Sequence, residues 1–329
     1  MPAPSVPPLP LQAYKVLSFD VYGTLIEYKR HILSAFQPLL SRLPASSPYL
    51  DETPISVSGG GSGAATSASV GSVEFLKLFQ RHEDAIKLEQ RDPARRLRFD
   101  GILREIWRRV ARDLAVDTSE EEARRFGSDV VIASWPAFPG TVDALRRLGR
   151  RYRLVALSNV DSYAWSITTK SKSKSTSASA SASAGANTST ASQPDADADA
   201  DADAGALATV DWWKVFTADN FGDDVENADD VKLETLVKYC ADHGVAKHEI
   251  LHVAQSLGHD HAPAKRQRLA SVFVVGDGPF WGKEAESRLA LERDLVGYAW
   301  RFGNLVEFAD FVDNINSSPA HAAGGSDDA

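Results

Sequence analysis

The stretch Tyr14-Lys15-Val16-Leu17-Ser18-Phe19-Asp20-Val21-Tyr22-Gly23-Thr24-Leu25 constrains this chain more than any other. An apolar, partly β-branched run stops at a carboxylate, and a Gly-Thr turn follows at once. The pattern predicts a buried strand that delivers Asp20 to its C-terminal edge, where open parallel α/β sheets bind ligands. A carboxylate held there costs desolvation unless it has partners. Asp20 is therefore either a site residue or the cap of a turn. The stretch alone leaves both readings open.

The same pattern recurs further on. Residues 153–159, 215–217, 250–254, 271–275 and 298–304 read as short strands. Helical spacing of apolar residues at 141–149, 231–243, 262–269 and 305–314 places helices between and after them. Strands that alternate with helices, and are apolar along both faces, suit a parallel sheet covered on both sides. Several strand ends are polar: Asp20, then Ser158 and Asn159, then the segment from Gln255 to Asp260. In a doubly wound sheet these ends converge on one crevice. That convergence makes Asp20 and Asp260 site candidates rather than turn residues.

Between the first strand and residue 137 the pattern is helical throughout, at 29–43, 73–114 and 118–134, with Thr118 as the expected cap of the last helix. Residues 28–136 thus form a helical insertion. Inside it, 56–72 is rich in Gly, Ser and Ala. Its Ser58-Gly59-Gly60-Gly61-Ser62-Gly63 run lacks a preceding strand and a Gly-Lys-Ser/Thr, so it reads as a flexible linker rather than a phosphate loop. Residues 171–208 pass from Ser-Ala into Asp-Ala alternation with hardly any branched apolar residue; they are expected to be disordered, as is the tail 316–329.

Composition narrows the function classes. Of the formal net charge of -9, five charges lie in the Asp-Ala repeat (Asp195, Asp197, Asp199, Asp201 and Asp203). No basic face stands out, which argues against a nucleic-acid partner; the arginines at 91, 95, 96 and 98 read as a solvated helix face. The lone Cys240 excludes an internal disulfide and fits a reducing compartment. The proline-rich first ten residues do not read as a signal peptide, and no run is long enough for a membrane span. A cytoplasmic location is expected. The partners expected are a small-molecule substrate and, at most, a second copy of the chain in a homodimer, with no nucleic acid and no membrane.

The motifs carry a resemblance. Phe19-Asp20-Val21-Tyr22-Gly23-Thr24-Leu25 resembles the first motif of the haloacid dehalogenase superfamily. Leu157-Ser158-Asn159-Val160-Asp161 resembles the second. Ile250 to Ser256, continued through Asp260 and Lys265, resembles the fourth. Tyr298-Ala299-Trp300-Arg301-Phe302 is similar to the C-terminal segment of a fungal-type branch. The resemblance implies an α/β fold: a Rossmann-like parallel sheet core over 13–27 and 137–315, with an inserted helical cap over 28–136. It implies Asp20 as nucleophile. Phosphatases of the superfamily carry a second Asp two residues later as general acid/base; this chain has Tyr22 there, as in the L-2-haloacid dehalogenase branch. A phenol with an unperturbed pKa of about 10 replaces that acid poorly, whereas halide departs without one.

The implied mechanism is displacement of halide by Asp20 to give an ester, followed by attack of water on the Asp20 carboxyl carbon with Asp260 orienting or deprotonating it. Tyr22, Thr24, Ser158, Asn159 and Ser256 are the implied substrate-binding and hydrogen-bonding residues. Dehalogenation requires no cofactor; a phosphatase of this fold would require Mg. The sequence departs from the family pattern in three places. Asn227 stands where the third-motif lysine is expected, and Lys232, five residues on, is the nearest replacement. The fourth motif has Leu257 in place of an amide. For the cap arginine that would grip a substrate carboxylate, Arg81 lies nearest the expected place.

Two further patterns compete with this reading. Gly276-Asp277-Gly278 resembles the phosphatase form of the fourth motif but comes one strand late, so Asp260 is preferred. His252, His259, Asp260 and His261 cluster in sequence without a regular ligand spacing, so no metal site is assigned. Three readings follow: a hydrolase resembling 2-haloacid dehalogenases, a Mg-dependent phosphatase of the same fold, and a catalytically degenerate binding protein.

Overall fold

In the computed structural model, residues 3–55, 68–90, 96–170, 207–222, 228–275 and 289–317 are described. In chain order, strand β1 (Val16–Phe19) is followed by helices α1 (Lys29–Ala35) and α2 (Gln37–Leu40), a small ribbon of β2 (Pro54–Ile55) and β3 (Ala68–Ser69), and helices α3 (Val70–Glu89), α4 (Phe99–Asp113), α5 (Glu120–Phe126) and α6 (Asp129–Ala133). Then come α7 (Thr141–Gly149), β4 (Arg153–Leu157), α8 (Ser162–Thr169), β5 (Lys214–Phe216), α9 (Ala228–Asp242), β6 (Ile250–Ala254), α10 (Ala262–Arg266), β7 (Ala270–Val274), β8 (Trp300–Phe302) and a C-terminal helix, Leu305–Ser317.

Six strands form one sheet in the order β5-β4-β1-β6-β7-β8, with every pair parallel. β1 lies at its centre, buried along its whole length, as are β6 and β7. The strand period of two divides the core into two layers. Leu17 and Phe19, with Leu154, Ala156, Leu251 and Val253, pack with Leu145 and Leu148 of α7 and Phe308 of the C-terminal helix. Val16, with Val155, Leu157 and Ile250, packs with Leu233, Leu236 and Cys240 of α9 and Ala264 of α10. Ser18 shares parity with Val16 and therefore belongs to the α9 side. Register places Ser18 opposite His252, and His252 opposite Ser271. Three polar residues thus cross the centre of a buried sheet on one face, close to its C-terminal edge.

The chain leaves this sheet and returns to it by two adjacent connectors: Glu27 N donates to Pro136 O, Phe138 N donates to Leu25 O, and Ile26 bridges to Ala137. The helices between the connectors have their own aromatic core, in which Phe36 lies against Phe75, Trp107 and Phe126 at centroid separations of 5.0, 4.8 and 4.5 Å. Such pairs stabilise beyond their area burial, by about 0.5–1.5 kcal/mol each.

Several local expectations are corrected. The helix expected over 29–43 is two, because the chain restarts after Phe36 with Pro38 in the first turn of α2, where its missing N–H costs nothing. The helix expected over 118–134 also divides, at Gly127, where a Cβ would meet the Asp100 carbonyl at 2.4 Å. Its cap is Ser119, not Thr118; Ser119 and Glu122 form a capping box, and Thr118 Oγ1 accepts from Trp107 Nε1 at 2.7 Å. Of the linker expected at 56–72, residues 56–67 lie outside the described residues, but the rest is ordered. Ala68–Ser69 pairs with Pro54–Ile55, Ser69 caps α3, and Gly71 packs so closely that a Cβ would meet Tyr49 O at 2.5 Å. Of the segment expected to be disordered over 171–208, residues 171–206 lie outside the described residues, and Leu207 is a buried core residue. Of the tail expected over 316–329, residues 316 and 317 are the end of the last helix, and residues 318–329 lie outside the described residues. Among the described residues no helix is long and apolar enough to cross a membrane.

Candidate active site

β1 ends at Asp20, whose own N–H bonds Val253 O of the neighbouring strand. A compact turn then wraps on the Val21 carbonyl, which accepts from Thr24, Leu25 and Ile26 N–H. Gly23 makes this turn with φ +97°, and a Cβ there would lie 3.2 Å from Gln255 Oε1; both facts favour glycine. The turn brings Thr24 back over the strand end, so that Thr24 Oγ1 donates to Asp20 Oδ2 at 2.7 Å and accepts from Gln255 N at 3.0 Å.

The second carboxylate arrives from the end of β6. A single π-turn, Leu257–His261, follows that strand, with Asp260 and His261 N–H both directed at Ser256 O and Ser256 Oγ accepting from His259 N. Such turns re-aim side chains and are frequent at functional sites. Here the turn points Asp260 inward, where it is 1% exposed against 9% for Asp20. Lys232, fully buried on α9, donates to Asp260 Oδ1 at 2.7 Å, and His252 Nε2 reaches the same oxygen at 3.1 Å. Ser18 Oγ bonds His252 Nδ1 at 2.9 Å. The Ser18–His252–Asp260 order has the composition of a serine-hydrolase triad, but Ser18 lies in the central strand with no exposed surface, so no substrate can reach its hydroxyl.

The two carboxyls have opposite electrostatics. Burial, and then the charge of Asp260, push Asp20 up to about 7, against the pull of Lys232 and the Thr24 hydroxyl. Burial alone would also raise Asp260, but Lys232 and His252 outweigh it and hold the group well below the usual carboxylate range. Burial alone would lower Lys232; Asp260, Asp20 and Asp229 reverse that and keep it charged. A cation five residues beyond Asn227 thus bonds Asp260 and acts electrostatically on both acids.

The other sequence-predicted residues make different bonds. The half-buried Tyr22 turns toward the helical insertion, with its hydroxyl 2.6 Å from Thr168 Oγ1 and its ring beside Phe99 and Trp135. Burial, foremost, raises its pKa, so the phenol is a poorer acid still. Ser158 Oγ accepts from Val160 N in its own turn. Asn159 is exposed and donates to Asp229 Oδ1 at 3.3 Å. Ser256 caps the π-turn as described. Arg81 is exposed on α3, because the buried stripe of that helix is Phe75, Leu76, Leu78, Phe79 and Ile86. The groups that act on the half-buried Tyr28 are acids: after burial itself, Glu83 of α3, then Asp20 at the end of β1 and Asp84 of α3 raise its pKa.

The histidines point three ways. His252 faces Ser18 and Asp260. His259 Nδ1 bonds Asp229 Oδ2 at 2.8 Å. His261 Nε2 bonds Ala254 O and its Nδ1 bonds Ser271 Oγ, and burial pushes this imidazole down to about 4, so it is neutral. Among the described residues no three His, Cys, Asp or Glu side chains are grouped to hold a metal ion. Residues 276–278, the competing Gly-Asp-Gly, and Asn227 lie outside the described residues. Sequence reasoning gave His252 and Asp229 no part in the site. For His252 the signal was available: Ser18, His252 and Ser271 each interrupt a strand buried on both faces, and such residues need partners.

No protein-family model and no curated protein sequence matches the chain. Solved structures do. An L-2-haloacid dehalogenase is 16% identical, over 92% of this chain and 99% of its own, with a TM-score of 0.55. The L-2-haloacid dehalogenase from Xanthobacter autotrophicus, with chloropropionic acid covalently bound, is 13% identical over 92% and 99%, with a TM-score of 0.52. A Bacillus subtilis protein described as a HAD-hydrolase and bound to magnesium is 10% identical over 91% and 99%, with a TM-score of 0.50. The chain shares the α/β fold of these proteins.

Proposed function

We propose that this chain is a hydrolase of the haloacid dehalogenase superfamily, with residues 28–136 as its cap and Asp20 as a covalent nucleophile, acting on a small 2-haloacid. The observation that carries this reading is the pairing of unlike carboxyls. Asp20, the more exposed acid, is bonded by the Thr24 hydroxyl and the Val21 N–H and has no cation in contact among the described ion pairs, while Asp260 is held ionised by Lys232. Environments that push two acids apart in pKa are how one site assigns two roles. In the first step Asp20 attacks the α-carbon, the C–O bond forms, and halide leaves with the C–X electron pair. Lys232 tempers the charge repulsion that would otherwise keep Asp20 protonated. In the second step a water oriented by Asp260 attacks the Asp20 carboxyl carbon, and the bond from that carbon to the ester oxygen breaks, so the product hydroxyl keeps an oxygen that came from Asp20. One water proton ends on the product hydroxyl and the other passes to solvent.

Tyr22 supports displacement at carbon over phosphoryl transfer, because its hydroxyl is committed to Thr168 and raised in pKa. The cation beside Asp260 is an ammonium group of the chain itself. The test is halide release from 2-chloropropionate alongside a phosphatase screen, each with and without Mg, with Asp20→Asn as control. Halide release that needs Asp20 but not Mg supports the reading. Phosphatase activity that needs Mg supports the alternative chemistry, and activity surviving Asp20→Asn removes the nucleophile assignment. Absence of both activities favours a degenerate binding protein.

A further inference from the structure

His252 takes no part in the steps above, yet it occupies the centre of the sheet with no exposed surface. Nothing in strand propensity favours an imidazole in a run that reads Ile250-Leu251-His252-Val253-Ala254. Its two nitrogens are both used: Nδ1 meets Ser18 Oγ at 2.9 Å and Nε2 meets Asp260 Oδ1 at 3.1 Å. An ionised carboxylate only accepts, so the proton on this side of the ring sits on Nε2. Lys232 donates to that same Oδ1 at 2.7 Å. Two donors on one oxygen fix the carboxylate plane against rotation. Neither of them donates to Oδ2, so the clamp leaves the lone pairs of that oxygen unused.

We propose that His252 is a positioning residue for the hydrolytic half-reaction: its Nε2–H and the Lys232 ammonium clamp Oδ1 of Asp260 and so present Oδ2 to the water that attacks the Asp20 ester. The proposal deepens the nucleophile reading and rests on it. Ser18, paired across β1 and β6 by register, holds the imidazole in its plane. Within the clamp, His252 acts on the second step alone, since halide displacement needs Asp20, a nearby α-carbon and the Lys232 charge, and His252 bonds none of these. A residue that merely fills the core would not distinguish the two steps. A misplacement of an orienting group by about 1 Å is enough to cost on the order of 100-fold in rate.

The experiment is rapid-quench halide release from 2-chloropropionate with intact-protein mass spectrometry, on the wild type, His252→Leu and His252→Gln, after thermal melts show each is folded. His252→Leu keeps the volume and removes both bonds; His252→Gln keeps an N–H directed at Asp260. The expected result for His252→Leu is a burst of about one halide per chain, accumulation of the Asp20 ester, and steady turnover slowed about 10- to 100-fold; His252→Gln removes most of the burst and restores turnover. The proposal is overturned if folded His252→Leu turns over like the wild type, or if burst and steady phases slow together. A wild type with neither halide release nor ester contradicts the nucleophile reading instead. The clamp is then read without substrate from the 15N shifts of His252, where an Nε2–H imidazole supports it and an Nδ1–H tautomer overturns it.

Discussion

The two sides of the crevice use the same residue type in opposite ways. On the side built by β6 and α9, Lys232 and His252 both bond Asp260, Ser18 backs His252, and the Lys232–His252 pair holds Asp260 well below the usual carboxylate range. On the side built by the β1 turn, Asp20 is supported by the Thr24 hydroxyl and the Val21 N–H, with an aromatic wall of Tyr22, Phe99 and Trp135 beyond the turn. Its pKa rises to about 7, first by burial and then by Asp260 itself. One acid is stabilised as an anion and the other is held close to neutrality. A nucleophile must be ionised yet not fully bonded, because a carboxylate bonded on every lone pair attacks poorly; Asp20 meets this as pH rises through about 7.

The comparison can be broken from either side. The largest effect is expected for Lys232→Met, which strands Asp260 as a buried charge without its cation. Stability should fall by about 3–5 kcal/mol in urea melts, and halide release by at least about 100-fold. A loss within experimental error would mean that Lys232 is not the site's cation. Asp260→Asn removes the repulsion while leaving Lys232, so Asp20 should ionise more easily. The acid limb of kcat/KM, expected near pH 7 in the wild type, should then move down by about one unit or more; an upward move contradicts the account.

Asp20→Asn removes a raised carboxyl. Such a group destabilises the native state fully above its folded pKa and not at all below its unfolded one, so the variant should be more stable at pH 8, by on the order of 4 kcal/mol. The gain should fade as pH drops from about 7 toward the ordinary carboxylate range, and a gain that grows on acidification has the wrong sign. The smallest effect belongs to Tyr22→Phe, which loses the Thr168 bond. It should cost about 1 kcal/mol and remove no ionisation from the pH profile. Disappearance of a basic limb would restore Tyr22 as an acid.

The six strands and their alternation with helices were legible in the sequence because parallel strands buried on both faces announce themselves as short apolar runs. Boundaries were less so. Thr118 and Ser119 are chemically equivalent caps, and only the Trp107 bond to Thr118 decides between them. Gly71 and Gly127 look like flexible punctuation and are close-packing positions. At the site, Asp20 could be singled out because its turn is local in sequence. Lys232 was found as the nearest lysine to an expected place, but its bond to Asp260 spans two elements and has no local signature. Ser158 and Ser256 show the opposite lesson: each caps its own turn, so a polar strand end has structural work besides any contact with substrate. His252 was visible only as an anomaly, a polar residue whose partners lay on other strands.

The central claim is that Asp20 forms a bond to the substrate and is then hydrolysed at its own carboxyl carbon. A single turnover of 2-chloropropionate in H2-18O, with protein in excess, tests it most directly. The account predicts one heavy oxygen in the peptide containing Asp20 and none in the hydroxy acid released. Heavy oxygen in that product, with Asp20 unlabelled, would mean that water attacks the substrate directly, and would contradict it.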